Sequence, residues 1–279
     1  MIKSILVVLD DSQSSLSAKK LGIQLTQTYR ASLTGIGILD KSWIEGPQAI
    51  PLGGASFKIE LEAQLMLKER EHVYKMEKAF IDQCKDKEIS CSIIDAMGIP
   101  VDEIGTFSTE HDIIVIGKEA NFHFIPIEGI SPSVQEFLKD IHRPLVLTSK
   151  KLPNQDSSNI LVAYDGTFAS SRAAHMAILL GLLKNKTIHV ANVSSDKKEA
   201  RDLVNRVASL CKNHGLKSHI HPIESSKKPS IELLNLMKSV KPSMLVTGAY
   251  GHRGVTYFFK GSCIQELLRS AEVPIFVYH

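Results

Sequence analysis

The segment Gly248-Ala249-Tyr250-Gly251, followed by nine residues (His252–Lys260) and then Gly261-Ser262, has the residue types and spacing to hold an anion. Glycines let backbone N–H groups approach a phosphate with no side chain in the way. Ile264, Leu267, Leu268 and Ala271 follow at the spacing of one apolar helix face. A helix starting there adds unpaired N–H donors and the positive end of its dipole. The Ser262 hydroxyl can donate to a phosphate oxygen. The aliphatic run Ser243–Thr247 precedes the segment, so the order is strand, glycine-rich loop, helix. In an open α/β sheet that order puts the loop at the carboxyl end of a strand, where ligands bind. A plainer reading stands beside it. Ser262 with Gln265 is also a capping box, and glycines after strands are ordinary turns.

Other residues invite a chemical reading and a bland one. Asp165 ends an aliphatic strand, where it can face a ligand, yet Asp165-Gly166-Thr167 is also an ordinary turn and helix start. Asp10 and Asp11 can ligate Mg²⁺ or begin a helix. His219 and His221, two apart on a strand, share a face and can begin a metal site; no third ligand of suitable spacing is evident, and a partly exposed strand face is the default. His252 and Arg253 can meet phosphates or tip a solvated loop. Cys84, Cys91, Cys211 and Cys263 form no C-x-x-C pair and read as small core residues of a reducing compartment. No G-x-G-x-x-G follows the first strand of either half, and no G-x-x-x-x-G-K-[ST] occurs, which argues against a dinucleotide dehydrogenase and a Walker-type NTPase.

The elements that position these residues alternate between strands and helices, the pattern of a parallel sheet covered on both faces. Strands are predicted at Ile5–Leu9, Ser32–Ile38, Ile89–Ile94, Ile113–Ile116 and Pro144–Thr148, with helices near 14–29, 57–85, 101–108 and 133–140. Lys41–Ser56 is irregular; its Trp43 and Ile50 are expected to pack on the next helix, a surface excursion being favoured over a binding loop. The polar stretch Ser149–Ser158 reads as a linker. The pattern then restarts. Ile160–Thr167 echoes Ile5–Ser12, Gly248 echoes Gly117, and Val273–Val277 echoes Arg143–Leu147. One duplicated unit accounts for this order, giving domains at 1–149 and 159–279.

G-x-x-G, nine residues and G-S after an aliphatic strand, the opening strand ending in Asp, and the closing Val-Pro-Ile-Phe-Val together resemble the universal stress protein family, in its tandem form, over nearly the whole chain. The resemblance implies two doubly wound α/β domains, each a five-stranded parallel sheet of order 3-2-1-4-5, joined as an internal pseudo-dimer through their last strands. It implies ATP, AMP or a related adenine nucleotide as ligand, with Mg²⁺ as a possible companion. Many members bind nucleotide without robust turnover, and some do not bind it. Carried onto this sequence, the backbone of Gly251, Gly261, Ser262 and Cys263 holds the phosphates. Asp165 lies by the ribose and adenine, Ala163 and Val193 line the base pocket, and Thr247 and Gly248 lie beneath it.

The first copy departs from the pattern. Ala120 stands where Gly251 stands, and Ser131 and Pro132 stand where Gly261 and Ser262 stand. Proline offers no N–H, and a methyl group intrudes where close approach is wanted. This half is therefore expected to bind nucleotide weakly or not at all; Lys118 and His123 read as solvated surface. Lys+Arg number 33 and Asp+Glu 30, too balanced to point to nucleic acid. The apolar run near the N-terminus is too short for a signal-peptide core or a membrane span, so a cytoplasmic protein is expected. The functional expectation is a regulatory module that binds adenine nucleotide in its second domain, with a homodimer as a further assembly. A slow ATPase at the same loop and a non-binding interaction scaffold are the alternatives. No general base beyond Asp165 presents itself for catalysis.

Overall fold

The computed structural model describes residues 1–46, 55–123, 129–140, 142–153, 157–249 and 263–279. The chain divides into two compact units, one of residues 3–141 and one of residues 142–279 together with Met1 and Ile2.

In the first unit, β1 (Ser4–Val8) leads into α1 (Gln13–Tyr29), β2 (Ser32–Asp40) and the one-turn α2 (Lys41–Ile44). The long α3 (Ala55–Lys85), β3 (Cys91–Gly98), α4 (Pro100–Ser108), β4 (Ile113–Gly117) and α5 (Pro132–Asp140) follow. The strands lie in the order β3-β2-β1-β4, all parallel. Ile5 to Val8 and all of β4 are buried residue after residue. A strand buried at consecutive positions is covered on both faces, which is why these segments read as unbroken aliphatic runs. β3 is half-exposed, with Ser92 and Asp95 in it, and it runs to Gly98 rather than stopping at Ile94. Ile89 belongs instead to the closure of α3, where its N–H donates to the Cys84 carbonyl and Glu88 takes a left-handed conformation (φ 55°). A non-glycine residue there carries no sequence flag. Only the C-terminal half of α3 joins the core, through Val73, Met76, Phe80 and Cys84.

The second unit holds β5 (Leu145–Thr148), β6 (Asn159–Ala163), α6 (Phe168–Leu179), β7 (Thr187–Ser194), α7 (Lys197–Asn213) and β8 (Ser218–Glu224). It continues with α8 (Pro229–Val240), β9 (Met244–Gly248), α9 (Cys263–Ser270) and β10 (Ile275–Tyr278). Its own five strands run parallel in the order β8-β7-β6-β9-β10, the 3-2-1-4-5 arrangement. β5 adds to this sheet from the other side, antiparallel to β10, with Leu147 opposite Ile275 and Leu145 opposite Val277. The last strand predicted for the first repeat thus pairs with the last strand of the second. The N-terminus contributes too, the Ile2 N–H donating to the Leu180 carbonyl at 3.2 Å. Among the described residues no helix is long and apolar enough to cross a membrane.

Candidate functional site

The two repeats build the end of their first strand in the same way. In the second unit the Asp165 carboxylate accepts the Thr167 N–H at 3.0 Å and the Thr167 hydroxyl at 2.6 Å. Thr167 then caps α6, its side chain accepting the Ser170 N–H. In the first unit the Asp10 carboxylate accepts the Ser12 N–H at 2.7 Å, and Ser12 caps α1 by accepting the Ser15 N–H. The turn reading of Asp165-Gly166-Thr167 therefore holds, and it leaves the carboxylate exposed at the strand end.

Gly248 and Gly117 also match. A Cβ on Gly248 would lie 2.5 Å from the Ser170 nitrogen, and one on Gly117 would lie 2.8 Å from the Ser15 nitrogen. Each glycine thus lets the fourth strand run against the first turn of the first helix of its repeat. Backbone, unlike a flexible side-chain tip, cannot step aside.

At the carboxyl ends of β6, β7 and β9 this framework leaves a cavity of about 400 Å³. Ala163, Asp165, Val193, Thr247, Gly248 and Cys263 all line it. Gly251, Gly261 and Ser262, like His252 and Arg253, lie outside the described residues. Asn192, Ser194, Glu199, Leu203 and Leu233 line the cavity as well and were not expected from sequence. The buried Asn192 donates its amide N–H to the Tyr164 carbonyl at 2.7 Å, tying the end of β7 to the end of β6. Its position in an aliphatic strand was the available signal, since a buried amide needs a partner. Glu199, near the start of α7, accepts the Ser194 hydroxyl at 2.5 Å. Burial, with Asp165 and Glu266 nearby, pushes the Cys263 thiol up to about 12. That favours the protonated thiol at neutral pH. Beside it Glu266, in the first turn of α9, accepts from the Ser230 hydroxyl and pairs with Lys228 at 3.4 Å, fixing α9 to the start of α8.

In the first unit the corresponding residues are buried. Asp10 is 1% exposed, and burial pushes its carboxyl up to about 6 against the counter-pull of Ser12 and Lys19. Glu119, Ala120, Asn121 and Phe122 are all buried, so the stretch after β4 has become core, and Phe122 meets the edge of Phe137 at 6.2 Å. Pro132 opens α5 behind a cap from Ser131, whose hydroxyl accepts the Val134 N–H. Proline suits that position for want of an N–H to satisfy. His123 is not simply solvated: its ring stacks on Trp43 at 4.4 Å and its Nδ1 lies 3.5 Å from the Asp40 carboxylate. The Trp43 indole is half-exposed and rests on His123, while Ile44 is the buried member of α2. Ile50 lies outside the described residues. Asp10 and Asp11 do not act as a pair, since Asp11 faces His72 at 3.6 Å while Asp10 turns inward.

His219 and His221 have the companion that the sequence did not reveal. His189 on β7 stands in register with His219.

No protein-family model matches the sequence. A universal stress protein of Synechocystis is 18% identical over 191 residues, 68% of this chain; the match spans 65% of that relative's own length. The crystal structure of a universal stress protein from Archaeoglobus fulgidus covers 99% of this chain and 97% of its own, with a TM-score of 0.67 and 20% identity. The two share a fold from end to end. A universal stress protein from Archaeoglobus fulgidus solved in complex with dAMP matches 46% of this chain and 98% of its own, with a TM-score of 0.36 and 17% identity.

Proposed function

We propose that this chain, a tandem universal stress protein by fold and by sequence resemblance, binds an adenine nucleotide in its second domain and acts as a regulatory binding module. The observation that carries the reading is the cavity at the ends of β6, β7 and β9, lined by Ala163, Asp165, Val193, Thr247, Gly248 and Cys263. Its volume of about 400 Å³ suits a small organic ligand. The base enters between Ala163 and Val193, the ribose meets Asp165, and the phosphates reach Gly251, Gly261, Ser262 and the start of α9 at Cys263. ATP and AMP fit this scheme equally, and Mg²⁺ would accompany the triphosphate.

The first domain contributes no second site. Its aspartate is buried and the stretch after its fourth strand is packed as core, where the second domain keeps an exposed aspartate beside a cavity. Calorimetry of ATP, ADP and AMP against the full chain tests the reading. One site per chain, lost in Gly261→Val with Ser262→Ala, supports it. A wild-type chain that binds none of the three at millimolar nucleotide contradicts it and leaves an interaction scaffold. Turnover that disappears in Asp165→Ala would instead support a slow ATPase.

A further inference from the structure

His189, His219 and His221 are not among the cavity-lining residues; they sit on the outer strand pair of the second unit, with His221 in register with the cavity-lining Ala191. Register sets His189 beside His219, and the two-residue alternation of β8 returns His221 to the same face. The rings gather accordingly. His189 stands 5.3 Å from His219 at 23° and 5.2 Å from His221 at 29°, centroid to centroid. His189 Nδ1 and His221 Nε2 are 2.9 Å apart, within reach for one ring N–H to donate to the other ring.

We propose that these three histidines form a site for a late first-row divalent cation such as Zn²⁺, bound by three imidazole nitrogens with a fourth position open to water. Two nitrogens held at about 2.0–2.1 Å by one tetrahedral zinc lie roughly 3.3 Å from each other. The His189–His221 pair, at 2.9 Å, needs to open by only a fraction of an ångström. The ring that donates in the free protein moves its proton to its other nitrogen, which leaves both facing nitrogens with lone pairs. Among the described residues no three His, Cys, Asp or Glu side chains are already placed to hold a metal ion. Both rings stack on His189, but only His221 brings a nitrogen to it at 2.9 Å, so His219 is the ligand that must turn. It is exposed, so the rotation displaces water and no packed side chain. Burial and the neighbouring rings hold His189 and His221 below the ordinary histidine value, which favours the neutral, ligating form. A set of imidazoles suits Zn²⁺, Cu²⁺ or Ni²⁺ and rejects Mg²⁺ and Ca²⁺, which want oxygen. The backbone beneath is two paired strands, a firmer base than a loop.

The test is titration of the metal-stripped full chain with Zn²⁺ by calorimetry and with Co²⁺ by visible absorption. The expected result is one ion per chain at about micromolar affinity and the intense bands of four-coordinate cobalt. His189→Ala, His219→Ala and His221→Ala should each weaken binding at least about tenfold, while His175→Ala, on the exposed side of α6, should not. Histidine-to-glutamine variants control for folding: in chelator they should melt with the wild type, and zinc should raise the melting temperature of the wild type alone. Binding only at millimolar zinc, or equal affinity in the triple alanine variant, overturns the site. Loss in His189→Ala and His221→Ala but not in His219→Ala overturns the three-ligand assignment.

Discussion

Asp10 and Asp165 hold the same place in the two repeats and differ in their exposure to water. The exposed Asp165 is available to a ligand; the buried Asp10 is a cost that the first domain carries. Its carboxyl titrates at about 6 in the fold against 3.8 for the ordinary group. Between these values the folded state binds the proton more tightly than the unfolded chain. The first domain therefore loses stability as pH rises through this window, and the whole penalty is present above it. Two pKa units correspond to about 3 kcal/mol, an upper bound for this position. Asp10→Asn removes the charge and keeps an oxygen for the Ser12 N–H. Relative to wild type, the variant is expected to gain roughly 2–3 kcal/mol between about pH 4 and pH 7.5, read from urea unfolding of the first domain. A pH-independent difference would contradict the burial argument. Both aspartates were legible in the sequence as strand-ending residues, but their opposite environments were not. Exposure at a strand end depends on what the segment after the fourth strand does, and in the first repeat Ala120 and Phe122 draw that segment inward.

Elements explain why the strands and helices were readable and their ends less so. β1, β4, β6 and β9 are buried almost throughout, and strands covered on both faces favour aliphatic side chains. The edge strand β3 has no such constraint, so its true span, Cys91–Gly98, was partly hidden behind Ser92 and Asp95. Gly117 and Gly248 stood out in the sequence as possible phosphate-loop glycines. The structure gives each an additional task, the close crossing of the fourth strand over the first helix. Gly117→Ala and Gly248→Ala should each cost about 1–3 kcal/mol in chemical denaturation, because the added methyl meets backbone. If Gly248→Ala leaves stability unchanged and only nucleotide affinity falls, the crossing is not what requires glycine there. Trp43 reports on the first unit by itself, since the chain has one tryptophan. Its emission should shift on His123→Ala, when the stacked ring is lost, and should stay unchanged when nucleotide fills the second domain.

At the scale of the whole molecule, duplication was the most legible feature, because the landmarks Asp10, Gly117 and Pro144 recur in order as Asp165, Gly248 and Pro274. The polar stretch at 149–158 follows β5, which lies in the compact unit of residues 142–279 and pairs there with β10. Strand pairing between repeats leaves no trace in composition. A fragment of residues 142–279 should therefore melt at a higher temperature than one of residues 159–279, which leaves the edge of β10 bare. Equal melting temperatures would show that the β5–β10 ladder adds nothing to the second unit.

On the proposed function, nucleotide enters the second domain and not the first. Photolabelling of the full chain with 8-azido-ATP, followed by peptide mapping, addresses that claim directly. Label confined to peptides from 159–279 and displaced by AMP is the predicted result. Label in peptides from 1–141, or label that AMP does not displace, would contradict it.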